Sequence, residues 1–166
     1  MQRLSWLLFL LLVLGISGCD HATKSMATTA LPDGQVTSII TGWLSLERTH
    51  NTDTAFCLLS PLMSTGPRLL LLKFTATVGV LAVAWLALYR FTRATMVERC
   101  ALGLLLGGAL GNAIDRWRWG YVVDFIHLKH WPVFNVADVA LCAGALLLWL
   151  SVQRQRVAQT LPNQVE

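Results

Sequence analysis

Two aspartates stand where a largely apolar chain has little reason to put them. Asp124 lies within Tyr121-Val-Val-Asp-Phe-Ile126, and Asp138 within Phe134-Asn-Val-Ala-Asp138, with Asn135 just ahead of it. Each alone has an ordinary explanation. A carboxylate in a loop is solvated, and an Asp in the first turn of a helix complements its dipole. As a pair they suggest chemistry. Two carboxyl groups held close at a lipid–water boundary cannot both ionise cheaply, so one pKa rises and the pair shares a proton. Such a pair can hydrolyse a peptide bond: one member takes a proton from water while the other donates one to the carbonyl oxygen. Spacing along the chain does not itself put the two side by side.

Other polar residues gather in the same kind of surroundings. Asn112, Asp115 and Arg116 fall three or four apart and share one helix face. Arg116 can bind a phosphate or a peptide carbonyl, or serve as an interfacial anchor. Asp20 and Lys24 are spaced i, i+4, and as a helix-end ion pair in water they would contribute only about 0.2–0.5 kcal/mol. Asn51 belongs to the polar stretch His50-Asn-Thr-Asp-Thr-Ala-Phe56. Alternative chemistries find little support. HExxH and GxSxG are both missing. Asp124, His127 and His130 are three apart and could in principle hold a metal, but the segment reads equally as a strand or loop. No metal site and no cofactor are expected.

These residues need elements to position them, and composition says which. Of 166 residues 55% are hydrophobic and 13% charged, with a net charge of +4. Soluble domains average about 25% charged, so the balance points to a bilayer as solvent. The cations lie between apolar runs rather than in one patch, which argues against nucleic acid and for a membrane. Runs at about 4–26, 69–90, 97–114 and 136–152 approach the length a spanning helix needs. Arg90, Arg93 and Arg99 crowd the link between the second and third runs, Arg154 and Arg156 follow the fourth, and Arg3 precedes the first. By the positive-inside rule these segments, and both termini, are cytoplasmic. All the polar clusters above then meet at the extracytoplasmic face, where polar groups at membrane depth are functional hypotheses by default.

Between the first two spans, residues 27–68 form an outer lobe. Val36–Ile40 and residues 43–48 read as strands, with Gly34 and Gly42 as punctuation. Asp124 is placed in a loop, and residues 153–166 are a polar, frayed tail. Gly103, Gly107 and Gly111 have the spacing that lets helices approach closely. Cys100 and Cys142 read as small buried residues, and Cys19 and Cys57 could share the outer face and pair. The fold class is therefore an α-helical integral membrane protein, four transmembrane helices with a small β-containing lobe in a single domain.

The ordered clusters resemble the motifs of lipoprotein signal peptidase (signal peptidase II), the bacterial membrane aspartic peptidase family. Its motifs DxxTK, NxGxAF, GNxxDR, VVDF and FNxAD are matched by Asp20-His-Ala-Thr23-Lys24, Asn51-Thr-Asp53-Thr-Ala55-Phe56, Gly111-Asn112-Ala-Ile-Asp115-Arg116, Val122-Val-Asp124-Phe125 and Phe134-Asn135-Val-Ala137-Asp138. The likeness runs from about residue 4 to 152. It implies a β-cradle above the helices, the catalytic pair Asp124 and Asp138, and cleavage of diacylglyceryl-modified prolipoproteins just before the lipidated cysteine. On the same transfer Asn51, Asn112, Asp115, Arg116 and Asn135 hold the pair or the substrate, while Asp20 and Lys24 brace the outer end of the first span. It further implies a monomer among membrane lipids of the bacterial inner membrane, needing no metal, and a target of the antibiotic globomycin. One departure stands out: Asp53 occupies the position of the second motif's glycine. Glycine takes positive φ freely and Asp only with strain. The expectation is that Asp53 is tolerated and that Asp53→Gly retains or improves cleavage.

Two alternatives stay open. Ile16-Ser-Gly-Cys19 has the form of a lipobox, so the first run could be a cleaved lipoprotein signal; the DxxTK continuation favours a retained helix. The chain could also be an impaired or specialised paralogue that binds lipoproteins without cutting them. A transporter would line a path across the membrane with charge, whereas here the charges collect at one face.

Overall fold

The computed structural model describes residues 2–32, 34–53 and 62–160. Four helices are long and apolar enough to cross a membrane: α1 (Gln2–Ala30), α2 (Thr65–Arg90), α3 (Met96–Arg118) and α4 (Val136–Thr160). Their outward sides carry large apolar groups more than half exposed, among them Leu10, Leu14, Leu70, Phe74, Leu81, Trp85 and Leu88. In water such a surface would aggregate, whereas lipid tails solvate it.

α3 is the central helix and packs on each of the other three. Its small residues make this possible. A Cβ on Gly107 would lie 2.8 Å from the Ile16 Cβ of α1, and one on Gly108 would lie 2.6 Å from the Ala137 carbonyl oxygen of α4. The helix backbones therefore approach as closely as the glycine spacing predicts. At one end Phe9, Val13, Ala87, Phe91 and Leu102 form a core, with Trp6 stacked on Phe91 at 3.5 Å between ring centres. α3 begins there on a capping box: the Glu98 N–H donates to Thr95 Oγ1 (3.2 Å), and the Thr95 N–H donates to Glu98 Oε2 (2.8 Å).

At the other end β1 (Val36–Ile40), β2 (Leu44–Asn51) and β3 (Val122–Leu128) form an antiparallel sheet in the order β1-β2-β3. Gly42 turns the β1–β2 hairpin at φ 76°. Thr49 pairs with Asp124, so the register places the aspartate on the strand beside the end of β2. Leu46, Ile126 and Val136 pack on Ala27, Leu31 and Phe125, which seats the sheet on α1 and α4.

Several local expectations change. Asp124 is in a strand, not a loop: its apolar, β-branched neighbours Val122, Val123 and Ile126 pair with β2 and the bridge at Phe134. The polar tail is helical through Thr160, because residues 153–156 are Gln and Arg, good helix formers, and Gln155 donates to Glu98 Oε1 at 3.1 Å. Cys142 is exposed on α4 rather than buried, as a small apolar residue can be where lipid is the solvent. Cys19 is a free, exposed thiol, and Cys57 lies outside the described residues, as does the Thr54-Ala55-Phe56 part of the second motif. Asp53 is not among the residues with positive φ, so the strain expected of an aspartate there does not arise.

Candidate active site

Where the sheet meets the helices, residues from α1, α3, α4, β2 and β3 form one hydrogen-bonded network. Lys24 on α1 is its cationic centre, 3% exposed. Its ammonium lies 2.7 Å from Asp20 Oδ2, 2.8 Å from Asp115 Oδ2 and 2.9 Å from Asn112 Oδ1. The two carboxylates form ion pairs with it, and the amide oxygen accepts a hydrogen bond. The pair read as an exposed helix-end contact is thus a buried cation between two carboxylates, and water does not compete with it. Asp20 also accepts from the Ala137 N–H at 2.9 Å, tying α1 to the first turn of α4. Gly111 makes room: a Cβ there would come 2.5 Å from Asp20 Oδ2.

Lys24 sets the donor and acceptor directions through the rest of the network. An ammonium can only donate, so Asn112 must turn its oxygen to Lys24 and its amide nitrogen away. That nitrogen donates to Asp138 Oδ1 at 2.8 Å. Asn135 is fully buried and joins the two halves. Its Nδ2 donates to Asp124 Oδ1 (2.6 Å) and Asn112 Oδ1 (3.1 Å), and its backbone N–H donates to Asp138 Oδ2 (3.1 Å). Its own oxygen accepts from the Asp138 N–H at 3.1 Å, so Asn135 also caps α4. The far oxygen of Asp124 accepts from Asn51 Nδ2 at 2.8 Å. Three asparagines thereby hold the two aspartates with every carboxylate oxygen engaged.

The two aspartates feel each other. Asp124 is 3% exposed, and burial, reinforced by the nearby Asp138 charge, pushes its pKa up to about 6 against the lowering pull of the Asn51 and Asn135 hydrogen bonds. A carboxyl group of this kind holds or releases a proton near neutral pH, which acid–base catalysis requires. The Arg116 guanidinium lies in the field of Asp138, Asp124 and Asp115, and its buried Nε has no hydrogen-bond partner among the described residues.

All nine residues singled out by sequence, Asp20, Lys24, Asn51, Asn112, Asp115, Arg116, Asp124, Asn135 and Asp138, meet at this end of the bundle. Asp124, His127 and His130 do not converge. His127 faces Glu47 at 3.4 Å, His130 sits in a turn at φ 64°, and among the described residues no group of three such side chains is arranged to hold a metal. Sequence reasoning singled out Asp53 but missed Arg68, with which it pairs at 3.8 Å, both largely buried. The available signal was a cation in the first turn of an otherwise apolar helix with no acidic residue in that turn.

Four helices of membrane-spanning length, with two aspartates held close together at one end of the bundle, form an arrangement that a membrane aspartic peptidase can use. The signal peptidase (SPase) II family profile matches residues 11–154, and the chain belongs to that family. It is 38% identical over 141 residues to the lipoprotein signal peptidase of Moorella thermoacetica, covering 84% of this chain and 89% of the relative. It is 40% identical over 145 residues to that of Teredinibacter turnerae, covering 84% of each chain. A solved bacterial membrane enzyme superposes with a TM-score of 0.78 at 25% identity, covering 92% of each chain.

Proposed function

We propose that Asp124 and Asp138 are the catalytic pair with which this lipoprotein signal peptidase removes the signal peptide from diacylglyceryl-modified prolipoproteins. The observation that carries this assignment is the joint clamp of Asn112 and Asn135 on both carboxyl groups, with Asp124 poised near pH 6. In the free enzyme the pair shares one proton, held chiefly by Asp124. Ionised Asp138 takes a proton from a water molecule, and the water oxygen attacks the carbonyl carbon of the bond before the lipidated cysteine. Asp124 gives its proton to the carbonyl oxygen, forming a neutral tetrahedral gem-diol. Breakdown passes one diol proton back to Asp124, while Asp138 gives the proton it took from water to the leaving amide nitrogen. The C–N bond breaks, and a free signal-peptide carboxyl group and a cysteine amine are released.

Asn51, Asn112 and Asn135 position the pair. Arg116, with a buried donor to spare, holds a substrate carbonyl. Asp20, Lys24 and Asp115 brace α1 against α3 and α4. The end of the bundle that carries the arginines is the cytoplasmic one and the site faces outward from the bacterial inner membrane, a reading supported by the positive-inside rule. The enzyme works as a monomer among membrane lipids. A lipoprotein-binding paralogue without activity would be expected to have lost part of the pair, and both carboxyl groups are present and fully hydrogen bonded, which favours cleavage. The test is mass spectrometry of products from a lipidated and an unlipidated prolipoprotein. Cleavage of the lipidated form alone, immediately before its cysteine, is expected; cleavage elsewhere, or equal cleavage of both, would overturn the substrate assignment.

A further inference from the structure

The second motif departs from its family pattern at Asp53, and the surroundings of that residue give the departure a use. We propose that the Asp53–Arg68 ion pair positions the catalytic pair: it pins the turn after β2 to the start of α2, and so holds the Asn51 amide in the one orientation that donates to Asp124. This rests on the assignment of Asp124 and Asp138 above.

The chain of contacts is short and directional. The Asp53 N–H donates to Asn51 Oδ1 at 2.9 Å. A backbone N–H can only donate, so Asn51 must face it with oxygen and turn its Nδ2 the other way, onto Asp124 Oδ2 at 2.8 Å. The reverse orientation would set donor against donor at Asp53 and oxygen against oxygen at Asp124. Asp53 therefore controls Asn51 through its backbone, and its side chain fixes that backbone. Its Oδ2 lies 3.8 Å from an Arg68 terminal nitrogen, with Asp53 3% and Arg68 9% exposed. Arg68 sits in the first turn of α2, where the helix dipole disfavours a cation, so a carboxylate beside it offsets an unfavourable charge. A glycine at position 53 would leave the same backbone N–H but remove the carboxylate that meets Arg68. Because Asp53 does not need positive φ, the anchor is gained without backbone strain.

Among the described residues Asp124 is faced by Asn51 from β2, Asn135 ahead of α4, Asp138 from α4, Lys24 from α1 and Arg116 from α3. Loosening Asn51 changes one of these and leaves four in place. It removes a hydrogen bond that favours the ionised carboxyl group, so the proton of the pair is held to higher pH.

The experiment measures kcat, KM and the pH profile of kcat/KM on a lipidated prolipoprotein peptide, with purified full-length protein in detergent. Wild type, Asp53→Asn, Arg68→Gln, the double variant and Arg68→Lys are compared, with Asp124→Asn as the inactive reference. Asp53→Asn is expected to lower kcat about tenfold with KM changed less than about threefold, the size of a charge-assisted hydrogen bond felt at the reacting groups. The upper limb of its profile should move up by about half to one pH unit. Arg68→Gln should match it, the double variant should be no worse than either single, and Arg68→Lys should recover part of kcat. Asp53→Gly should behave like Asp53→Asn, contrary to the expectation drawn from the motif alone. Asp53→Asn that unfolds at the wild-type temperature yet keeps wild-type kcat and limb would overturn the proposal. If Asp53→Asn does not fold, Arg68→Gln decides in its place, and a wild-type limb and kcat there would overturn it. Should wild type fail to cleave, or Asp124→Asn cleave equally, the catalytic assignment itself fails. Loss in Asp124→Asn beside normal Asp53 and Arg68 variants removes only this inference.

Discussion

Asp124 should make the stability of the fold depend on pH, by an amount that can be worked out in advance. Its pKa rises from the ordinary 3.8 to about 6, so the folded protein binds the proton more tightly than the unfolded chain. The stabilisation from that proton is complete below the unfolded pKa and is lost as pH rises through about 6. A little over two units at 1.36 kcal/mol each amounts to about 3 kcal/mol lost between pH 4 and 8. Asp124→Asn removes this dependence. It also sets an amide N–H against the Asn51 or Asn135 donor, a cost of about 1–3 kcal/mol that does not vary with pH. The informative quantity is therefore the pH trend of the difference between the two proteins. Thermal unfolding in detergent, followed by tryptophan fluorescence from pH 4 to 8, should show wild type losing about 6–12 °C relative to the variant across that range. Parallel curves would refute the reasoning, since they would mean Asp124 is not held in its protonated form by burial.

The packing around the site leads to three further outcomes. Gly111→Ala should displace Asp20 from Lys24 and the Ala137 N–H, lowering stability by about 2–3 kcal/mol with loss of cleavage, both measurable on the purified protein. Lys24→Met should be worse, by about 3–5 kcal/mol, because it leaves Asp20 and Asp115 buried without their cation; adding Asp20→Asn and Asp115→Asn should recover much of the loss in thermal unfolding. Intact mass of the membrane-extracted protein should show residues 1–18 retained, since Phe9, Val13 and Ile16 of α1 pack into the bundle and against α3; loss of that segment with added lipid on Cys19 would contradict it.

How legible each feature was in the sequence depends on the physics of its signal. Helices are announced by long apolar runs, and the glycine spacing of α3 announced close packing that the Ile16 and Ala137 contacts require. The first two strands could be read between Gly34 and Gly42, yet β3 could not. Its run is short, buried at its start and identified as a strand only by its partners in β2, which are distant in sequence. Polar residues at membrane depth drew attention to all nine site residues, because each needs a reason to be there. Their partners were less accessible. Asp20 and Lys24 look like a surface pair by spacing, and only the packing of α3 and α4 over them makes them buried. Arg68 and Asp53 carried the weakest signal, since an ion pair between residues this far apart in sequence has no periodicity. Asp53 stands out as a carboxylate in a glycine's place, yet nothing in its spacing points to Arg68 as its partner.

Whether Asp124 and Asp138 together cut the prolipoprotein is tested most directly by a gel-shift cleavage assay on a lipidated prolipoprotein. Purified wild type, Asp124→Asn and Asp138→Asn are compared in detergent or lipid, each shown to be folded by thermal unfolding. Cleavage by wild type is expected, with loss of at least about a thousandfold in either variant, because each carboxyl group has its own proton to move. Cleavage by either variant at a rate near that of wild type would contradict the assignment.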